Sequence, residues 1–166
     1  QGYITDRIAD LLQDMGFDRV LAQLGESMAL DAPADDGAWR VAVPDPRVPG
    51  RDLWTLSLRH RAVATSAGLA LTFEPSGRHH HLLDARTGWP ARGVAATTAV
   101  ASSAFEAGLA ATAAFLLGPD EGLRHLERTE GIEGVLITQQ GDLISTSGMD
   151  RLSDLPGSLY SRYPRI

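Results

Sequence analysis

The stretch from Gly93 to Arg128 constrains the fold of this chain more than any other. Val, Ala and Thr alternate from Gly93 to Ala101 with no charge on either face, so the segment reads as a buried strand. Ser102 or Ser103 can cap the helix that follows, and Glu106 completes a capping box with Ser103. That helix runs to Leu117, with Leu109, Ala113, Leu116 and Leu117 as its apolar side and enough alanine for close approach to a sheet. Gly118 ends it and Pro119 starts a second helix through Arg128. A charge-free strand joined to an alanine-rich helix buries both only in a sheet that carries a helical layer.

The remaining segments supply that sheet. Ile4, Ile8, Leu11, Leu12 and Met15 fall at helical spacing before Gly16, which predicts an amphipathic helix over about 3–15 with its apolar face on the sheet. Short strands are expected at 19–24, 28–30, 39–43, 53–58, 62–66 and 69–73, broken at His60 and at Ala67-Gly68, with 31–37 a loop. The segments 132–138 and 143–146 flank Gln139-Gln140-Gly141-Asp142 as a hairpin. The expected class is α+β, a mostly antiparallel sheet with helices packed on one side. One domain spans residues 1–148, and 149–166 reads as an irregular tail.

Function is most concentrated at His79-His80-His81-Leu82-Leu83-Asp84-Ala85-Arg86-Thr87-Gly88-Trp89-Pro90, which reads as the next strand and its turn, with imidazoles at the end of an apolar run. Residue chemistry alone leaves two readings open: a site on a strand end, or a solvated histidine tract that binds metal adventitiously. A net charge of −6 with scattered arginines and no lysine argues against a generic nucleic-acid binder. The absence of cysteine excludes thiolate catalysis and Cys-ligated zinc. No run of sequence is long and apolar enough to span a bilayer, and no targeting signal is visible.

His81-Leu82-Leu83-Asp84-Ala85-Arg86-Thr87-Gly88 resembles the His-Ile-Ile-Asp-Pro-Arg-Thr-Gly signature of the ApbE family, the FAD:protein FMN transferases; Leu82 and Leu83 are conservative replacements, and Ala85 departs where the family usually has proline. Gly2-Tyr3-x-x-Asp6-Arg7, Trp39-Arg40-Val41 with Asp45-Pro46-Arg47, Val63-Ala64-Thr65-Ser66 and Ala113-Ala114-Phe115-Leu116-Leu117-Gly118 match in the family's order, up to about Gly148. The resemblance implies a T-fold-like domain of which this chain is the C-terminal portion. It also implies transfer of FMN from FAD to a threonine hydroxyl of an acceptor protein with release of AMP, assisted by Mg2+, in a membrane-associated or extracytoplasmic bacterial setting.

Residue by residue, the resemblance makes His81 the catalytic base or orienting group, and Gln1, Leu82, Leu83 and Arg86 the flavin-contacting positions. As structural residues, His81 would bond within a sheet edge and Gln1 would be a loose chain end. His79 and His80 match no family role and are expected on the surface. Thr112 stands at the family's metal-binding threonine, but the aspartate one turn before it is Gly108, and Glu106 points away from Thr112. Ser66-Ala67 replaces Ser-Gly, and Gln23-Leu24-Gly25-Glu26-Ser27 replaces Asn-x-Gly-Gly-Asp. These departures predict weak Mg2+ binding that Gly108→Asp should strengthen, and leave as the alternative a flavin-binding module without transfer.

Overall fold

The computed structural model describes residues 1–35 and 37–152. The chain begins with α1 (Gly2–Asp14), followed by β1 (Leu21–Gln23), β2 (Ser27–Ala29), β3 (Trp39–Pro44), β4 (Asp52–Leu58) and β5 (Arg61–Ala67). After a long irregular segment come β6 (Val94–Ala101), α2 (Ala104–Leu117), α3 (Pro119–Arg128), β7 (Glu133–Thr138) and β8 (Leu143–Ser145). Six strands form one sheet in the order β1-β2-β5-β6-β7-β8, every neighbour antiparallel, and β3 with β4 makes a separate antiparallel hairpin.

The sheet is buried on both faces, and strand parity decides what goes where. Ala62 and Ala64 of β5, Ala99 and Ala101 of β6 and Leu136 of β7 pack beneath the helices. Val63, Ala96, Val100, Val135 and Ile137 face the hairpin core of Val41, Val43, Trp54, Leu56 and Leu58. Under the helices β5 and β6 present alanines, with Leu136 of β7 the large exception, whereas valine and isoleucine dominate the face under the hairpin. The helical layer therefore comes close to the sheet and holds side chains from both in contact across it. The helices occupy one side, as the sequence predicts.

Four expectations are corrected. Residues 69–73 are not a strand: Gly68–Ala70 is a turn of 3-10 helix, and only Thr72 bridges to His80. The segment around His81 is likewise a loop, tied by Thr72 to His80 and by Leu83 to Pro90, because it carries its polar groups past the end of the sheet. Helix α1 buries Gly2, Thr5 and Ala9 while Tyr3, Ile4, Leu11 and Met15 are exposed. A side chain at Gly2 would run into the backbone of Ala104 and Phe105, so α1 crosses α2 on its smallest residues, away from its apolar stripe. Helix α2 buries Ala104, Ala107, Ala110, Ala111, Ala114 and Phe115, leaving Leu109 exposed, since only alanine permits its close approach.

The Ser103 cap is present, its hydroxyl accepting from the Glu106 amide at 3.2 Å. Glu106 returns to the hydroxyls of Ser102 and Ser103, at 2.6 and 3.1 Å. A second cap comes from Asp6 of α1, whose carboxylate accepts from the amides of Ala104 and Phe105 at 2.7 and 2.9 Å. It places a negative charge at the positive end of α2 and pins the two helices together. Of the segment beginning at 149, Met149–Arg151 forms a 3-10 turn with Met149 buried against the hairpin core, and 153–166 lie outside the described residues.

Candidate functional site

The helix-facing row of β5 runs Ala62, Ala64 and Ser66 under the helical layer and continues just past the strand as Gly68. Ser66 and Thr112 share a hydrogen bond, their hydroxyl oxygens 2.9 Å apart. The Thr112 hydroxyl thus reaches across to the sheet and does not fold back on its own helix. Ala67 is extended (φ −134°, ψ 129°), so its methyl group in place of a glycine brings no backbone strain.

Beyond Ser66 the row ends beneath His80. A Cβ at Gly68 would lie 3.1 Å from His80 Cδ2, and the imidazole meets Phe115 edge-on with ring centroids 5.7 Å apart. His80 is 4 % exposed, which overturns its expected place on the surface. Its Nε2 is 3.1 Å from the Ala91 carbonyl, which can only accept, so Nε2 carries the proton; Nδ1 accepts from the Leu82 amide at 3.3 Å. Both ring nitrogens are occupied. His80 is a neutral core histidine that fastens the loop to the sheet end.

His81 turns the other way. Its Nδ1 is 3.1 Å from the Leu71 carbonyl, and the same chemical logic makes Nδ1 the donor. In the neutral ring that tautomer leaves Nε2 of an exposed imidazole as an acceptor, the form required of a base. The His81 amide donates to the same carbonyl at 3.2 Å, so backbone and ring are oriented together. His79 is exposed, with its ring centroid 6.1 Å from that of Trp89.

The turn after His81 is held by Asp84. Its carbonyl accepts from the Thr87 and Gly88 amides, and Gly88 takes the left-handed conformation (φ 72°) that the turn requires. The Asp84 carboxylate accepts from the Arg86 side chain at 2.8–3.2 Å and from its amide at 2.9 Å. The Arg86 guanidinium, seconded by its backbone amide, pulls the Asp84 pKa down to about 2. Arg86 thus stands exposed but oriented, a fork already anchored at one edge. Leu82 is half-buried against the helix-side core, and Leu83 is exposed.

Gln1 lies to the side of this row, at the β1–β2 turn, which continues the Ser27–Val63 pairing toward Ala64 and Ser66. Its side-chain amide lies over the β1–β2 turn, where a Cβ on Gly25 (φ 108°) would come within 2.9 Å of Nε2. The structure therefore sets Thr112 in the middle of a track that runs from Gln1 and the β1–β2 turn to His80, with His81, Leu83 and Arg86 on the adjoining loop. Sequence reasoning missed the structural part of His80 and the cap from Asp6. Asp6 was visible only as a motif residue, because its partners lie on another helix.

The family model of the ApbE family matches residues 1–136. A curated relative from Klebsiella pneumoniae, FAD:protein FMN transferase, is 28 % identical over 150 residues, covering 89 % of this chain and 46 % of the relative. One of the same name from Treponema pallidum is 28 % identical over 161 residues, covering 90 % and 44 %. Among solved structures, the ApbE protein of Thermotoga maritima superposes with a TM-score of 0.83 at 26 % identity, covering 90 % of this chain and 50 % of that one. The apo form of the Pseudomonas stutzeri flavinyl transferase ApbE does so with 0.74 at 32 % identity, covering 91 % and 48 %. The chain spans about half the length of the relatives it matches.

Proposed function

The chain belongs to the ApbE family, and from that premise we propose that it is the C-terminal portion of an FAD:protein FMN transferase. The reaction moves FMN from FAD to a threonine hydroxyl of an acceptor protein. The threonine oxygen forms a bond to the phosphorus of the FMN half, the bond from that phosphorus to the bridging oxygen breaks, and AMP leaves with that oxygen. One observation carries the reading: the exposed His81 ring is oriented by Nδ1 against the Leu71 carbonyl, which in the neutral imidazole leaves Nε2 to take the proton of the incoming threonine.

The surroundings suit that role. Leu71, Leu83 and Trp89 are exposed large apolar side chains on the same loop region and offer a wall for a flavin ring. Arg86 supplies a charged fork for a phosphate, and Gln1 an amide for the ribityl or ring oxygens. When bound, Mg2+ would neutralise the pyrophosphate, with the Thr112 hydroxyl among its ligands. The exposed stripe of Tyr3, Ile4, Ile8 and Leu11 on α1, continued by Phe105, is the face on which we place the remaining half of the domain.

The test is incubation of the full-length protein with FAD, Mg2+ and a threonine-bearing acceptor, following AMP release and covalent flavin on the acceptor. Coupled appearance of both is expected. Flavin binding without AMP release would favour the binding-module reading, and failure to bind FAD at all would sink both.

A further inference from the structure

Gly108 removes a carboxylate from α2, and the β1–β2 turn puts one back in the same place. Met28 of β2 pairs with Ala62 and packs on the helix-side core. Two residues earlier, Glu26 has the same parity and faces the same layer. A Cβ at Gly108 would lie 3.6 Å from Glu26 Oε1 and 4.0 Å from the Ala64 Cβ. The Glu26 carboxylate thus occupies the space above Ala64 into which a side chain at 108 would project. Glu26 Oε2 is buried and has no hydrogen-bond partner.

An ionised carboxylate oxygen withdrawn from water without a donor is costly, and a rotamer directed to solvent would avoid the cost. Burial there is intelligible if a cation completes the arrangement. Thr112 lies one helical turn from Gly108 on the same face, and its hydroxyl, bonded once to Ser66, retains lone pairs. Gly25 keeps the left-handed turn (φ 108°), and Glu26 shows no positive φ, so the loss of a glycine at 26 leaves the turn unstrained.

We propose that Glu26 is the carboxylate ligand of a divalent cation held beside Thr112, in place of the carboxylate absent at position 108. The inference rests on the proposed transferase reading. It treats the departures at 26 and 108 as one exchange: a glycine became glutamate on the turn, and a carboxylate became glycine on the helix facing it. Among the described residues no group of three or more His, Asp or Glu is arranged to hold a metal ion. The site is accordingly of the sparse kind, one carboxylate and a hydroxyl completed by substrate phosphate, which suits Mg2+ or Mn2+. A side chain added at 108 alone would crowd Glu26 with a like charge, so Gly108→Asp by itself gains little affinity.

The experiment titrates Mn2+ into the FAD-loaded full-length protein and counts bound ion from the loss of the free-ion EPR signal. Glu26→Gln is expected to weaken binding at least tenfold while retaining FAD. The paired exchange, Glu26→Gly with Gly108→Asp, is expected to restore it, and metal-free thermal melting monitors the fold. If Glu26→Gln fails to fold, the paired variant decides: folded with Mn2+ bound supports the proposal, folded without it overturns it. Wild-type affinity in Glu26→Gln, or no saturable Mn2+ binding in the FAD-loaded parent, also overturns it. Retained FAD binding in either case leaves the transferase reading standing, whereas loss of FAD binding in the parent strikes at that reading.

Discussion

The two halves of helix α2 are finished differently where they face the sheet. Toward its C-terminal end, Phe115 packs on His80, and both nitrogens of that imidazole are bonded, to Ala91 and Leu82. Toward its N-terminal end, Gly108 leaves an opening, and the Glu26 carboxylate that enters it keeps one buried oxygen without a partner. A satisfied buried polar group fixes geometry, whereas an unsatisfied one stays open to a water or an ion. The same distinction separates two adjacent residues on the loop: His80 is saturated, and His81 keeps Nε2 in reserve.

That contrast can be broken most directly at the two histidines. His81→Ala should lower the transfer rate by about 10²–10⁴-fold, while stability changes by no more than about 0.5 kcal/mol because the ring is exposed. Single-turnover AMP release and thermal melting measure the two separately. His80→Ala should do the reverse, costing about 2–4 kcal/mol through a cavity beside Phe115 and two unmet backbone partners. Its FAD turnover at low temperature should survive better than that of His81→Ala. Similar melting temperatures for the two variants would dissolve the distinction.

A smaller effect tests the turn that positions Arg86. The Asp84 carboxyl has its pKa lowered from 3.8 to about 2 by the Arg86 side chain and amide. A folded-state value below the unfolded one means that the pairing contributes fully above about pH 4 and is lost as pH falls through about 2. Amide resonances of Thr87 and Gly88, both bonded to the Asp84 carbonyl, should therefore move between pH 4 and 2, and stay still there in Asp84→Asn. Unchanged resonances in the parent would mean that Arg86 does not hold the turn.

How much of this was legible beforehand differs from element to element. β6 and α2 were readable because a charge-free alternation and a serine cap are local signals, and the hairpin of β7 and β8 because its turn chemistry is local too. The missing strand at 69–73 was not readable: an apolar run looks the same whether it pairs or crosses the end of a sheet. The buried stripe of α1 was misplaced because the periodicity of Ile4, Ile8 and Leu11 reports amphipathicity, not the partner, and α2 accepts only Gly2, Thr5 and Ala9 at the crossing.

The sequence by itself determined the class of fold, the position of the motif at His81 and the absence of a carboxylate at Gly108, because these depend on residue identity and near-neighbour spacing. Only the tertiary structure decided which of three consecutive histidines is buried, where Asp6 ends its charge, and that Glu26 stands opposite Gly108. Those facts depend on which β strands pair and how closely α2 approaches them, and burial and hydrogen-bond satisfaction are properties of that packing.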